Sequence, residues 1–160
     1  MMDGPNLSTF AALAWEYSVL VFLAGIGILQ AAAAHGGFRG LLLAPGEVRI
    51  RLAPSKRKFA ISREDFGRIF AGVLIAPVLV DFFYWNRRNE TGIIEGGQQA
   101  GFFVLAMASA VAFTFLFSSL INHWRLRRNE TQAIGLEALR DITWAQAIAR
   151  RLARIKRGLG

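Results

Sequence analysis

The chain contains no cysteine, which excludes disulfides, thiolate chemistry, iron–sulfur clusters and cysteine zinc sites. Charge is scarce, at 19% of residues, and it is bunched instead of interspersed as a soluble surface requires. No lysine or arginine precedes Trp15. A secretory signal peptide needs a positive region ahead of its apolar run, so that reading of the N-terminus is poor. Histidine occurs only twice, at His35 and His123. No P-loop, zinc motif or nucleophile–base pair is present, and no enzymatic activity is expected.

What is abundant is apolar: 54% of residues, with a mean hydropathy of +0.36. Three long runs carry it. Trp15 to Ala34 has 20 residues, Ile69 to Trp85 has 17 and Ala100 to Trp124 has 25. At about 1.5 Å per residue each is long enough, with modest extension or tilt, for a hydrocarbon core of about 30 Å. Phe66 and Gly67 can lengthen the second run, with Arg68 snorkelling to the interface. Trp15, Tyr17, Tyr84, Trp85 and Trp124 stand at the run ends, where an interfacial aromatic belt is expected.

Lysine and arginine set the orientation. Residues 1–14 carry none, residues 35–68 carry eight, residues 86–99 carry two and residues 125–160 carry nine. Three spans alternate sides, so both heavy segments fall on one side, and the positive-inside rule makes it cytoplasmic. The expected fold is an all-α integral membrane protein with three transmembrane helices, N-terminus out and C-terminus in. Its expected location is a bacterial inner membrane. A net charge of +8 would suggest nucleic acid in a soluble protein. Beside long apolar runs, the expected partners are other membrane subunits and anionic lipids of the cytoplasmic leaflet, not nucleic acid.

The segments between spans are small. Within 35–68, alternation at Val48, Ile50 and Leu52, a Pro-Ser break, and Phe59 with Ile61 predict a β-hairpin over 47–61. Two strands alone are marginal in water, so the hairpin needs support from the membrane surface, the tail or another subunit. Ser62 followed by Glu64 and Asp65 reads as a helix start. The outer loop, 86–99, is too short for a domain. "RRNET" occurs at Arg87 to Thr91 and again at Arg127 to Thr131, on opposite sides of the expected membrane, and reads as boundary chemistry. From Thr131 to Arg157, Ile134, Ala138, Ile142, Ala145, Ala149, Leu152 and Ile155 recur at helical spacing among arginines. One basic amphipathic helix lying on the cytoplasmic face is expected there, with Arg150, Arg151, Arg154 and Arg157 facing lipid phosphates.

Four groups of residues are candidates for more than spanning. Asp81 lies one turn after Pro77 in the second span, where a carboxylate is costly. It either pairs with Arg88 on the same helical face or, with a kink at Pro77, marks an ion or proton path. His35 and His123 fall at the inner ends of spans one and three, the arrangement a b-type haem or a chlorophyll-type pigment would use; no cofactor is otherwise expected. Ala106, Ala110, Thr114, Ser118 and Asn122 form a small and polar stripe at spacing four on span three, which is expected to be the main packing helix. Ala24, Gly27, Ala31 and Ala34 lie near one face of span one. These stripes suit packing within the bundle or docking to other subunits. The functional expectation is an accessory or scaffold subunit of a larger inner-membrane complex, without chemistry of its own. The alternatives are a transport component built on Asp81 and Pro77, and a haem- or pigment-binding anchor.

Overall fold

A computed structural model describes residues 7–43, 48–51, 58–89, 92–123 and 135–158. Helix dominates. α1 spans Leu7–Gly36, α2 Arg63–Arg88, α3 Gly96–Asn122 and α4 Trp144–Gly158, and a 3₁₀ turn, Gly135–Arg140, precedes α4. Two four-residue strands, β1 (Val48–Arg51) and β2 (Lys58–Ile61), pair antiparallel, Val48 opposite Ile61 and Arg51 opposite Lys58. α1, α2 and α3 are each long and apolar enough to cross a membrane.

All three helices begin ahead of their apolar runs, because a helix satisfies its own backbone and need not stop where polar residues begin. α1 starts at Leu7, ahead of Trp15. α2 starts at Arg63, where the Ser62 hydroxyl accepts the Asp65 N–H at 3.0 Å and two carboxylates complement the helix dipole. It then runs through Pro77 as one helix. α3 starts at Gly96, with the Glu95 N–H donating to Gln98 Oε1, and ends at Asn122; Trp124 lies outside the described residues. The Asn89 side chain closes the connection before it, accepting from the Ile94 N–H and donating to the Ile94 carbonyl. α1 ends at Gly36, and Gly37 takes a positive φ of 68° while the Phe38 N–H reaches back to the Ala33 carbonyl.

The first helix, not the third, organises the bundle. α1 packs against α2 on one flank and α3 on the other, and it is the most buried of the three. Gly25 and Gly27 show how. Two residues apart, they project about 200° apart around the helix. A Cβ on Gly25 would come 2.9 Å from the Ala110 Cβ of α3, and one on Gly27 would come 2.7 Å from Ile75 of α2. The closest approaches of α1 thus fall at Gly25 and Gly27, whereas Ala24 and Ala31 are only half-buried. On α3 the buried residues include Ala106, Ala110, Thr114, Ser118 and Asn122, which turn inward.

Two apolar clusters close the ends. At the end holding the α2–α3 connection, Leu13, Ala14, Tyr17, Val21, Trp85, Ile94 and Ala106 pack together. Trp85 is fully buried and Tyr17 nearly so, which corrects their place in the aromatic belt; Trp15 and Tyr84 are exposed. At the opposite end, Ala33, Ala34 and Leu42 are covered by Phe38, Leu41 and Phe66.

The C-terminal segment is not one helix. The 3₁₀ turn stops at Arg140, and α4 restarts at Trp144 after Thr143, whose hydroxyl accepts the Gln146 N–H while Gln146 Oε1 accepts the Thr143 N–H. Ala138, Leu139, Ile142 and Thr143 are buried against the rest of the chain. Ala138 and Ile142 of the expected lipid-facing stripe are therefore protein-docked. The alternation in the sequence is the same for either partner, since both are apolar. Thr131 to Ile134 lie outside the described residues.

Candidate functional site

The densest polar construction lies where α1 and α3 end. There the chain after α1, Phe38 to Leu43, is held by two buried amides. Gln30 of α1 donates from Nε2 to the Leu41 carbonyl (3.1 Å) and accepts the Leu43 N–H at Oε1 (2.8 Å). Asn122 of α3 donates from Nδ2 to the Leu42 carbonyl (2.8 Å) and accepts Arg63 Nη2 of α2 at Oδ1. Both amides are 0% exposed. A loop buried at the end of an apolar bundle carries backbone groups that neither lipid nor water reaches, and each left unpaired would cost about 1–3 kcal/mol. Gln30 and Asn122 supply those partners, so three helices are tied to one loop. Arg39 bridges from the same loop to Glu64 at 2.9 Å.

The C-terminal segment seals this junction. The Gly40 N–H donates to the Leu139 carbonyl at 2.8 Å, and a Cβ on Gly40 would lie 2.2 Å from the Ile142 carbonyl oxygen. Only glycine admits that approach. The Arg140 guanidinium stands 6.0 Å over the Phe38 ring. The hydrogen bonds of the junction named here all run to other parts of the chain. Its chemistry is that of a clamp.

Asp81 stands elsewhere, near the opposite end. It is exposed, and it lines an open groove of about 290 Å³ between α1 and α2 with Trp15, Glu16, Leu20, Tyr84 and Arg88. Arg88 is not its partner. The Arg88 guanidinium engages Glu16 of α1 with both terminal nitrogens, Nη2 to Oε2 at 2.5 Å and Nη1 to Oε1 at 3.2 Å. The expected pairing within α2 is thereby corrected: the guanidinium reaches a carboxylate on the neighbouring helix instead. Asp81 faces the outside of the bundle.

No protein-family model, curated protein or solved structure matches this chain. Its residues have to speak for themselves. His35 closes α1 and His123 follows α3, so both imidazoles are at the junction end, and both are exposed. Among the described residues no three of histidine, aspartate and glutamate are grouped as a metal site would require. Arg150, Arg151 and Arg154 lie on α4, beyond the junction, and the Arg157 side chain lies outside the described residues.

Gln30 and Arg63 are the junction residues that reading along the chain missed. Gln30 had a usable signal: it is the one amide in the first apolar run, followed by four alanines. A polar side chain at that depth needs a partner. Arg63 had none, because nothing local distinguishes it from the other basic residues ahead of span two.

Proposed function

We propose that this chain is an accessory or scaffold subunit of a larger complex in a bacterial inner membrane, acting by holding neighbours rather than by chemistry. One observation carries the reading. The outward faces of α2 and α3 include small residues that no described part of the chain covers. A Cβ added at Gly72 of α2 or Gly101 of α3 would meet nothing within 4 Å. Ala76, one turn after Gly72, is exposed, as are Ala108 and Ala112 on α3. Lipid tails gain little from small side chains, whereas a second helix gains close backbone approach. Around them Val73, Phe83, Phe103 and Leu105 present bulk for a partner to pack against.

The orientation proposed with it is N-terminus out and C-terminus in, which places the β1–β2 pair, the junction and α4 in or against the cytoplasm. The distribution of lysine and arginine, none before α1 and nine after residue 124, supports that side. Reporter fusions at Gly4, Gly96 and Gly160 check it; a periplasmic signal from Gly160 reverses the assignment.

The absence of cysteine permits a direct test. Single cysteines at Gly72, Ala108 and Leu120, probed with a bifunctional thiol reagent in native membranes, should give discrete heavier adducts at the first two and weaker ones at Leu120. No adduct at any position, or equal adducts at all three, would leave the chain as a lone bundle in lipid.

A further inference from the structure

α4 carries an apolar stripe that, beyond Trp144 at its start, no described part of the chain covers. Trp144, Ile148, Leu152 and Ile155 follow one another at spacings of four, four and three, which gathers them into an arc of about 80°. Ile148, Leu152 and Ile155 are 38%, 61% and 51% exposed. The rest of the helix is strongly basic: Arg151, Arg154 and Lys156 stand on its remaining faces, and the helix contains no carboxylate. Apolar residues on one side and positive charge beside them suit an anionic lipid surface.

The start of α4 fixes its depth. The Trp144 ring lies against Phe115 of α3 at 5.4 Å, and the Ala145 N–H donates to the Ser119 hydroxyl at 3.3 Å. Ser119 and Phe115 stand three and seven residues before the end of α3 at Asn122. At 1.5 Å per residue, α4 therefore sets out roughly 5–10 Å inside the end of a spanning helix. That is the depth at which interfacial helices bury their apolar faces, about 5–10 Å into the headgroup and acyl boundary. The 138–143 segment, buried at Ala138, Leu139, Ile142 and Thr143 and pinned to Gly40, brings the chain to this point.

We infer that α4 is an interfacial helix that binds anionic phospholipid at the junction end of the bundle. Ile148, Leu152 and Ile155 enter the acyl boundary, and Arg151, Arg154 and Lys156 reach the phosphates. The inference rests on the membrane reading of α1–α3. It narrows the lipid contact to α4, because Ala138, Leu139, Ile142 and Thr143 just ahead of it are already docked on protein.

The test uses the full chain, spin-labelled at single cysteines replacing Leu152, Ala153 or Leu116, in phosphatidylcholine vesicles with and without phosphatidylglycerol. Collisions with oxygen report lipid exposure, and collisions with a water-soluble nickel chelate report exposure to water. With phosphatidylglycerol, the oxygen-to-nickel ratio at Leu152 should exceed that at Ala153 several-fold, approach that at Leu116, and fall as salt rises. A water-exposed Leu152 label beside a lipid-facing Leu116 label would overturn the assignment of α4 alone. A Leu152 label shielded from both reagents would overturn it in favour of a protein contact. Insertion indifferent to phosphatidylglycerol would overturn the preference for anionic lipid. A water-exposed Leu116 label would instead count against the membrane reading itself.

Discussion

The indole N–H of Trp85, near the end of α2, donates to the backbone carbonyl of Leu13 in α1 at 3.0 Å, and the ring is fully buried. The Tyr17 ring lies tilted beside it at 4.8 Å, and Ile94 of the α2–α3 connection packs in the same cluster. One side chain thus joins the start of α1 and the end of α2 to the loop that leads into α3. Its neighbour in sequence, Tyr84, is 63% exposed.

Removing that ring should be costly. Trp85→Ala leaves a cavity and is expected to destabilise the bundle by about 3–5 kcal/mol, against less than about 1 for Tyr84→Ala. Trp85→Phe keeps most of the packing and loses one hydrogen bond, about 0.5–1.5 kcal/mol. Reversible unfolding in mixed micelles measures all three. Equal losses at Trp85 and Tyr84 would mean that Trp85 is an interfacial residue after all.

Gly25 and Gly72 should respond oppositely to alanine. At Gly25 the new methyl meets the Ala110 Cβ at 2.9 Å, and neither backbone can yield without separating α1 from α3, a cost of about 1–3 kcal/mol. At Gly72 the methyl enters open space, and better helix propensity should add about 0.5–1 kcal/mol. Thermal denaturation of the purified chain separates the two signs. If Gly72 contacts another subunit, its variant should be stable alone yet weakened in assembly.

The two buried amides should act as a unit. Gln30→Leu strands the Leu41 carbonyl and the Leu43 N–H, and Asn122→Leu strands the Leu42 carbonyl and one donor of Arg63. Each is expected to cost about 2–4 kcal/mol. Because both hold the same three-residue loop, the double variant should cost less than the two single losses together. A strictly additive cycle would show that the loop is not a shared element.

Gly40→Ala addresses the clamp from the other side. The added methyl collides with the Ile142 and Leu139 carbonyls, so residues 138–143 should lift from the junction while α1–α3 remain packed. Limited proteolysis should then cut near Arg140, several-fold faster than in the parent chain, with an unchanged transition for the three-helix core. An unchanged cleavage rate would show that the contact is dispensable.

The three spanning-length helices were legible along the chain because a bilayer imposes a fixed thickness, and some 20 consecutive apolar residues is a one-dimensional signal. The start of α2 was legible too, since Ser62, Glu64 and Asp65 act on a helix end within one turn. The inward face of α3 showed as a run from Ala106 to Asn122 at spacing four because small and polar residues stand out among phenylalanines.

Which helix lies at the centre was decided only in three dimensions. In a membrane, lipid-facing and protein-facing positions are equally apolar, so hydropathy cannot tell Trp85 inside from Tyr84 outside. The choice of Glu16 over Asp81 by Arg88 depends on how close α1 comes to α2, and that closeness is set by Gly27 against Ile75. The C-terminal segment shows the same division. Its sequence determined a basic amphipathic periodicity, which is a property of spacing. That residues 138–143 spend theirs on protein while 148–155 leave theirs open was decided by the tertiary fold. A stripe declares that it must be covered, and only the surrounding surfaces declare by what.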